Sequence, residues 1–287
     1  MKNTKCNLCS RHCNINRSNN MGYCKADNYV KIAKTMLHFW EEPVISGTKG
    51  SGAIFFSYCN LKCVFCQNYK ISHCGKGNIT TTKELAEIFQ ELEKKGAHNI
   101  NLVTPTHYTD QIIEALNIYR PKIPIVWNTN SYESDETMEK IKNYIDIYLF
   151  DLKYYNKELS KKYSDTINYF EIATKNILKA KKEIPTNIIE NNIMKKGIII
   201  RHLILPNQTN DSIKILDWIK NNIPDTLISI MSQYTPYFRS TEFPEINRTI
   251  TKLEYKRVLT HCQNLQLNGF MQDLTSANEN FIPDFDT

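Results

Sequence analysis

Long apolar runs are missing from the 287-residue sequence. Residues 1–5 lead directly into cysteines, where an exported protein would carry an apolar signal region. No later stretch is long and apolar enough to span a bilayer. We therefore expect a soluble, cytoplasmic protein that has no membrane partner.

Charge of one sign is also scarce. The net charge is +6, from 36 lysines and arginines against 30 aspartates and glutamates. The lysines are mixed with glutamates in residues 91–95 and spaced by apolar residues in 175–182, as is typical of solvated helix faces. A nucleic-acid surface would require these charges to gather on one face of the fold. Composition alone leaves a nucleic-acid partner open.

Nine cysteines, an odd number, are clustered at short spacings. In a chain without an export signal this favours metal ligation over disulfides. Cys59, Cys63 and Cys66 form a CxxxCxxC triplet directly after the apolar residues 53–56. A [4Fe-4S] cluster normally takes four cysteines, so three would leave one iron open. Zinc is the alternative, but structural zinc sites take four protein ligands and usually pair CxxC with a distant second pair.

Four further cysteines, Cys6, Cys9, Cys13 and Cys24, lie in a short polar leader. Too few apolar residues surround them for a packed core, so this segment requires a metal to fold. A four-cysteine zinc site and a second, fully ligated [4Fe-4S] cluster both fit, with His12 as a substitute ligand. The sequence predicts a second metal site and leaves its metal open.

The next segment, residues 30–42, is predicted to be an extended linker. Pro43 opposes a helix through that point, and residues 50–52 form a flexible turn into the first strand. Glu41 and Glu42 are interpreted as surface charges in preference to catalytic acids, because glutamates are usually exposed. We expect an N-terminal metal-binding segment and linker over residues 1–48, followed by a core domain over 49–287.

Strands and helices alternate through the core domain, which indicates a parallel sheet of βα units. Six units are too few for a closed eightfold barrel. We expect an α/β fold with a partial (βα)6 barrel, whose mouth lies at the carboxyl ends of the strands. The predicted strands are residues 53–57, 99–103, 123–127, 145–150, 198–205 and 227–232, and the predicted helices are 82–95, 109–119, 134–143, an irregular region to 182, 210–220 and 253–264.

Polar residues collect at the ends of these apolar strands, which suggests a shared ligand. Arg201 lies within an otherwise apolar strand, so it should reach a carboxylate partner or a substrate. Asp151 and Lys153 have a structural alternative, an ion pair at the barrel rim. The predicted ligand-binding residues are Thr106, His107, Asn128, Asn130, Asp151, Lys153, Arg201 and Gln233.

These motifs together resemble the radical S-adenosylmethionine (SAM) superfamily. Within it, the chain is similar to homologues of the pyruvate formate-lyase activating enzymes that share a cysteine-rich leader. The resemblance covers nearly the whole chain. It rests on the leader cysteines and on residues 41–43, 50–56, 59–68, 103–107, 151–153 and 233–236.

The resemblance implies that Cys59, Cys63 and Cys66 hold an oxygen-sensitive [4Fe-4S] cluster whose open iron chelates SAM. Reductive cleavage would then give a 5′-deoxyadenosyl radical that abstracts hydrogen. Lys153 would neutralise a SAM carboxylate, and Asp151 or Asn130 would accept hydrogen bonds from ribose hydroxyls. His107 would contact SAM, donate a proton or cap the next helix, and His107 and Arg201 are the candidate catalytic residues.

Departures from the activating enzymes concern the substrate more than SAM. Their Gly-Gly-Glu turn after the second strand is replaced by residues 104–107, and their Pro-Tyr-His segment appears as Pro236-Tyr237-Phe238. Asn128-Thr129-Asn130 stands in the place of an Asp-Thr-Asn-Gly segment, whereas Asp151-Leu152-Lys153 is retained. SAM cleavage is therefore expected and the substrate is left undetermined.

The leading functional hypothesis is an enzyme that performs SAM-derived radical chemistry, with activation of a glycyl radical protein as one form of it and flavodoxin or ferredoxin as electron donor. After the last helix only residues 269–273 and a polar tail remain, so we expect the open side of the barrel to admit a protein loop. A small metabolite would need a closed pocket that excludes water. The alternatives are radical modification of RNA or a small metabolite, and a non-catalytic iron-sulfur redox sensor.

Overall fold

A single sheet with helices on its outer face forms the body of the protein. The computed structural model describes residues 5–272 and Phe285. The strands are β1 (Val30–His38), β2 (Ser51–Phe56), β3 (Asn78–Thr80), β4 (Ile100–Val103), β5 (Ile125–Thr129), β6 (Ile147–Asp151), β7 (Ile188–Glu190), β8 (Ile193–Leu203), β9 (Leu227–Met231) and β10 (Gly269–Met271). The α-helices are α1 (Pro43–Ser46), α2 (Tyr69–Ser72), α3 (Thr82–Lys94), α4 (Thr109–Ile118), α5 (Asp135–Ile141), α6 (Lys157–Ser164), α7 (Tyr169–Glu183), α8 (Thr209–Asn222) and α9 (Lys252–Asn264).

The six predicted strands are all present as parallel neighbours, β2, β4, β5, β6, β8 and β9. Strand β10 extends this row in parallel beyond β9. At the other end β1 and then β3 add antiparallel edges. Within the described residues β10 and β3 end the sheet without pairing to each other. The predicted open α/β barrel is therefore confirmed.

The outer face of the sheet packs against the helices. Trp127, Phe150 and Ile200 point outward from adjacent strands into the main apolar cluster. Helix α3 contributes to this cluster because its apolar residues repeat at helical spacing and bury one face, which includes Phe89. Full burial of such a side chain contributes about 1.5–3 kcal/mol to folding. Truncation of Phe89 to Ala should therefore cost about 3–5 kcal/mol.

The inner face of the sheet is closed at its lower end by helix α1. Pro43 opens this helix, where its missing N–H costs no helical hydrogen bond. Ile45, which is fully buried, packs among inward side chains of β5, β6 and β8, including Leu149 and Ile199. This apolar plug fills the bottom of the barrel and leaves the upper part open.

The predicted linker over residues 30–42 is wrong. Residues 30–38 form β1, which pairs with β2 from Ile32 to His38. A register shift between Ile32 and Lys34 breaks the regular alternation of buried and exposed side chains. The sequence of β1 therefore lacks the regular alternation that would predict a strand. The short strands β3, β7 and β10 were also not predicted.

The start of helix α8 differs from its prediction as well. The helix begins at Thr209, one residue before its predicted start, and residues 210–212 lie in its first turn. The Asp211 carboxylate accepts hydrogen bonds from the backbone amides of Tyr155 (2.9 Å) and Asn156 (2.8 Å). Asp211 therefore fixes the loop after β6 and does not cap its own helix.

The two ends of the described chain both return to the barrel. In the leader, Cys9 forms a backbone bridge with Glu133. At the other end, the Phe285 ring packs edge-on against Phe55 on the inner face of β2, with ring centroids 5.5 Å apart. The rest of the predicted polar tail lies outside the described residues. Among the described helices, none has the length and apolar character needed to cross a membrane.

Candidate functional site

A cavity of about 600 Å³ lies on the inner face of the sheet, toward the carboxyl ends of the parallel strands. This is the size of a small-ligand pocket. Its polar lining comes from the cysteine loop, from the ends of β5, β6, β8 and β9, and from the segment after β1. The chemically important lining residues are Cys63, Cys66, Asn128, Asp151, Lys153, Arg201, Gln233, Glu41, Glu42 and His38.

Three strand ends at this mouth turn through left-handed backbone at residues other than glycine. Tyr58, Thr104 and Ser131 follow β2, β4 and β5 with φ of 73°, 59° and 68°. Such conformations cost on the order of 1 kcal/mol each and persist where surrounding contacts impose them. Here backbone hydrogen bonds hold the turns, as from Tyr58 N to Ile71 O (2.9 Å) and from Thr104 N to Asn128 O (2.8 Å).

The cysteine loop begins at the first of these turns. Cys59, Cys63 and Cys66 are not in disulfides. Each sulfur has a polar side chain beside it: Asn130 Nδ2 donates to Cys59 (3.3 Å), Ser164 Oγ donates to Cys63 (2.9 Å), and Ser72 Oγ lies 3.1 Å from Cys66. Hydrogen bonds to the sulfurs are one means by which proteins tune an iron-sulfur cluster.

Burial and mutual repulsion control the protonation of these thiols. Burial, and then the charge of Cys63, raise the pKa of Cys59 to about 12 and that of Cys66 to about 11. Without a metal both would therefore be protonated at neutral pH. Metal binding replaces these protons, so the loop is a donor set that needs a cation to become thiolate.

The chemistry of this donor set fits an iron-sulfur cluster. Within residues 5–272, no group of three or more His, Cys, Asp or Glu side chains is arranged to hold a single metal ion. The three thiols nonetheless interact electrostatically, and two of them, Cys63 and Cys66, face the cavity. A loop of three sulfurs, each with a polar neighbour, would suit the ligands of such a cluster.

A chain of buried charges runs along the cavity wall. Asp151 Oδ2 lies 2.7 Å from Lys153 Nζ, and its Oδ1 lies 2.9 Å from Arg201. Burial opposes the charge on Asp151, but Arg201 and Lys153 outweigh it and lower the pKa of the carboxyl. Asp151 therefore remains ionised and binds both cations. The structural alternative for Asp151 and Lys153, an ion pair, is therefore present in the structure.

Arg201 does reach carboxylates, as its position in an apolar strand predicts. Besides Asp151, it contacts Glu41 Oε2 at 3.0 Å and donates to Asn128 Oδ1. Glu41 in turn accepts from Asn128 Nδ2 at 3.2 Å. The interpretation of Glu41 and Glu42 as surface charges is wrong, because the Glu41 side chain is 10% exposed and Glu42 is 8% exposed. They lie inside the barrel because residues 39–47 pass beneath it.

Not all the predicted ligand-binding residues meet at the cavity. Asn128, Asp151, Lys153, Arg201 and Gln233 line it. The other three, Thr106, His107 and Asn130, do not line the cavity and make hydrogen bonds outside it. The predicted roles in SAM binding therefore stay predictions for the five residues that line the cavity. The other three residues do not contact the cavity.

The three residues outside the cavity have structural partners. Thr106 Oγ1 donates to Glu133 Oε1 at 2.9 Å. His107 Nε2 lies 2.7 Å from Ser57 O, and burial lowers the pKa of this imidazole to about 3. Asn130 Nδ2 donates to Asn60 Oδ1 as well as to Cys59. His107 is therefore a neutral side chain that supports the cysteine loop from below, and it is poorly suited to donate a proton.

None of the four leader cysteines lines the cavity. Burial, opposed by a backbone hydrogen bond and reinforced by the other leader thiols, raises the pKa of Cys9 to about 12. The leader is attached through Arg11, which donates to the backbone carbonyls of Asn60 (3.0 Å), Ser164 (3.3 Å) and Asp165 (2.6 Å). The leader therefore packs directly on the loop of the core cysteines.

Three residues of this site were not predicted from the sequence. Glu41, Glu42 and His38 lie in the segment that was interpreted as a linker. Two signals pointed to the glutamates: residues 41–43 are among the motifs that carry the resemblance, and Arg201 requires a buried carboxylate but does not say which one.

Comparison with known proteins places this geometry in a family. The profile of the radical SAM superfamily matches residues 53–219. An uncharacterised protein of Methanocaldococcus jannaschii is 34% identical over 277 residues, which cover 92% of this chain and 75% of that protein.

Solved structures share the fold. Streptococcus suis SuiB bound to its precursor peptide SuiA aligns with a TM-score of 0.55 at 17% identity, covering 77% of this chain and 48% of that one. HydG, a maturase of the [FeFe]-hydrogenase, aligns with a TM-score of 0.51 at 14% identity, covering 75% of this chain and 48% of that one. The chain thus spans about half the length of these two structures.

Proposed function

Because the chain belongs to the radical SAM superfamily, we propose that it removes a hydrogen atom from a protein or peptide substrate. The superfamily uses a [4Fe-4S] cluster and SAM, and both are cofactors of this enzyme. When bound and reduced, the cluster supplies the electron that splits SAM into methionine and a 5′-deoxyadenosyl radical. The proposal extends to activation of a glycyl radical protein in the cytoplasm.

One observation carries the proposal. Two of the core cysteines and a lysine in an ion pair line the same cavity. Cys63 and Cys66 line the same space as Lys153 and Asp151. Burial disfavours the charge on Lys153, but Asp151 and then Cys63 raise the pKa of its ammonium. A cation held beside the thiols is suited to bind the carboxylate of an amino-acid group that approaches them.

The remaining residues would position SAM and exclude water. Cys59, Cys63 and Cys66 would hold the cluster, with Asn130 and Ser164 hydrogen-bonded to its sulfur ligands. Apolar side chains close the space between the polar groups, and a water-poor cavity protects a reactive intermediate from side reactions. These apolar lining residues are Phe55, Phe65, Val103, Leu203, Met231 and Phe270.

Two features support a macromolecular substrate. Within the described residues the sheet does not close between β10 and β3, and the proposal has a substrate loop approach at this open edge. SuiB, which shares the fold, was solved with a precursor peptide bound. Flavodoxin or ferredoxin is the proposed electron donor. The leader cysteines would hold a closed second site, either zinc or [4Fe-4S], and residues 1–48 would form a segment separate from the core.

Anaerobic reconstitution tests the proposal. The holoenzyme with SAM and dithionite should release 5′-deoxyadenosine. With a glycyl radical protein deuterated at glycine, deuterium should appear in the 5′-deoxyadenosine. Lys153→Met should weaken SAM binding, whereas the exposed Lys175→Met should not. Absence of 5′-deoxyadenosine would contradict the radical chemistry. Its release with efficient turnover of a free small molecule, and none of a protein, would contradict only the substrate class.

A further inference from the structure

A lysine between the two cysteine groups has a buried ammonium without a partner. Lys62 directly precedes Cys63 in the core loop. Its Nζ is buried and has no hydrogen-bond partner among the described residues. An unpaired buried polar group is costly, and more so when it is charged, so buried cations are usually paired with an anion. The surroundings of Lys62 show which anions are near it.

The Lys62 side chain reaches from the core loop to the leader. Its Nζ lies 5.6 Å from the centre of the Tyr23 ring. The backbone amide of Tyr23 donates to Cys13 Sγ of the leader group at 3.4 Å. On the core side, the backbone amide of Leu61, the residue before the lysine, donates to Cys59 Sγ at 3.4 Å. Lys62 thus joins two segments whose backbones each bond to a sulfur, one from either cysteine group.

Electrostatic interactions agree with this position. Burial lowers the pKa of Lys62, and the charges of Lys25 and Arg11 act in the same direction. The charges of Cys59, from the core group, and Cys24, from the leader group, favour the ammonium instead. One sulfur of each group therefore lies within electrostatic range of the same lysine.

Metal loading would make both cysteine groups negative. Ligation removes the thiol protons, and the thiolates of such sites outnumber the positive charge of Zn²⁺ or of an oxidised iron-sulfide core. Two loaded sites would therefore repel each other, and both would attract a cation placed between them. Exposed charges are screened by water and salt, whereas buried ones are screened much less. The buried Lys62 ammonium is suited to act on both sites.

We propose that Lys62 is the shared counter-charge of the two metal sites, which strengthens metal binding by the leader and makes the core cluster easier to reduce. Net charge is one of the factors that set the potential of an iron-sulfur cluster, and a nearby cation favours the more negative, reduced state. This inference rests on the proposed function. It assigns Lys62 to tuning of the metal sites and not to contact with SAM or substrate.

The midpoint potential of the core cluster tests the effect on reduction. Reconstituted holoenzyme is followed by potentiometric titration, and the spectral change on SAM addition identifies the core cluster. Lys62→Met should shift the potential to more negative values, whereas Lys62→Arg keeps the charge and should stay near wild type. If Lys62→Met does not fold, Lys62→Gln removes the same charge and takes its place. The matched control is Lys25→Met, at an exposed lysine beside Cys24, which should shift the potential less.

Zinc affinity tests whether the leader shares the lysine. The full-length chain with Cys59, Cys63 and Cys66 replaced by Ala keeps the leader cysteines and is titrated with Zn²⁺ against a chromophoric chelator. In this background Lys62→Met should bind Zn²⁺ about tenfold more weakly, since interactions with charged groups are the stronger ones. Lys62→Arg should restore the affinity.

Three results would overturn the shared counter-charge: an unchanged or more positive potential in a folded Lys62→Met or Lys62→Gln variant, an equal shift in Lys25→Met, or an unchanged zinc affinity. Failure of the proposed function is a separate result, because neither measurement requires SAM cleavage. If 5′-deoxyadenosine forms but the potential does not move, only the role of Lys62 is wrong. If the potential and the zinc affinity change as expected but no 5′-deoxyadenosine forms, Lys62 keeps its role and the radical chemistry is wrong.

Discussion

The two cysteine groups lie against each other but have opposite surroundings. The core group has three thiols, a polar neighbour at each sulfur, and two members that face the cavity. The leader group has four thiols, of which Cys9 and Cys24 are buried, and none lines that cavity. Arg11 connects the two groups through the backbone of the core loop and of the end of α6.

This difference separates the functions that each group can have. A set of four ligands saturates a tetrahedral metal or a [4Fe-4S] cluster, whereas three leave an iron open. An open iron is useful only where a ligand can reach it, and the core group alone adjoins the cavity. The leader group is suited to stabilise the structure or to relay electrons.

The largest expected effect comes from the core cysteines. Replacing Cys59, Cys63 or Cys66 by Ala should abolish SAM cleavage, because a cluster that lacks one protein thiolate does not keep a stable open iron. The measurement is 5′-deoxyadenosine released after anaerobic reconstitution. Cys74→Ala, at an exposed cysteine two residues after α2, is the matched control and should retain activity. Retention of SAM cleavage in all three core variants would refute the assignment.

The leader cysteines should behave differently. The proposal that they form a closed ligand set predicts that replacing Cys9 and Cys24 together by Ser lowers the thermal stability or slows turnover. SAM binding at the core cluster should persist, as measured by the change in its electron paramagnetic resonance spectrum on SAM addition. Total metal should fall by one site. Wild-type protein with only about four irons and no zinc would show that the leader holds no metal.

An intermediate effect is expected where the two groups are joined. The Arg11 guanidinium donates to three carbonyls and lies 3.8 Å from the centre of the Tyr23 ring. Arg11→Ala should reduce the free energy of unfolding by about 3 kcal/mol, since hydrogen bonds to charged groups exceed neutral ones. Arg239→Ala, which breaks an exposed pair with Glu242, should cost less than about 1 kcal/mol. Similar losses in a denaturant titration would show that Arg11 does not anchor the leader.

The smallest expected effect is a shift in redox potential. Ser164 Oγ donates to Cys63 Sγ, and a hydrogen bond to a thiolate favours the more negative, reduced state of a cluster. Ser164→Ala should therefore make the midpoint potential of the core cluster more negative, as followed by potentiometric titration. Ser160→Ala removes a buried hydroxyl from the same helix that bonds only to carbonyls, so it should leave the potential unchanged. Equal potentials in both variants would contradict the role of Ser164.

The parallel strands could be predicted from the sequence because both of their faces are buried, so that each strand is a nearly continuous apolar run. Cysteine spacing likewise identified both thiol groups. Strand β1 was missed because its irregular pairing breaks the alternation on which prediction depends. Glu41 and Glu42 were missed for another reason: a glutamate pair before a proline looks exposed unless its distant partner is known. Arg201, which binds Glu41, follows it by 160 residues.

Thr106 and His107 show a further limit. They follow strand β4, as ligand-binding residues do in such folds, yet a short 3₁₀ turn from Thr106 to Tyr108 directs them into the core. Their partners are Glu133 and the backbone of Ser57. Position at a strand end therefore identifies candidates, and only the path of the following loop decides which candidates face the cavity.

The double pairing of Asp151 allows partner exchange. One carboxylate oxygen binds Lys153 and the other binds Arg201. If an arriving carboxylate draws Lys153 away, Asp151 keeps one cation and is not left as an isolated buried charge. Breaking a buried pair usually costs several kcal/mol because one charge is stranded. Here the exchange leaves no buried charge unpaired. Lys153 can therefore move from Asp151 to an arriving carboxylate at a low cost in free energy.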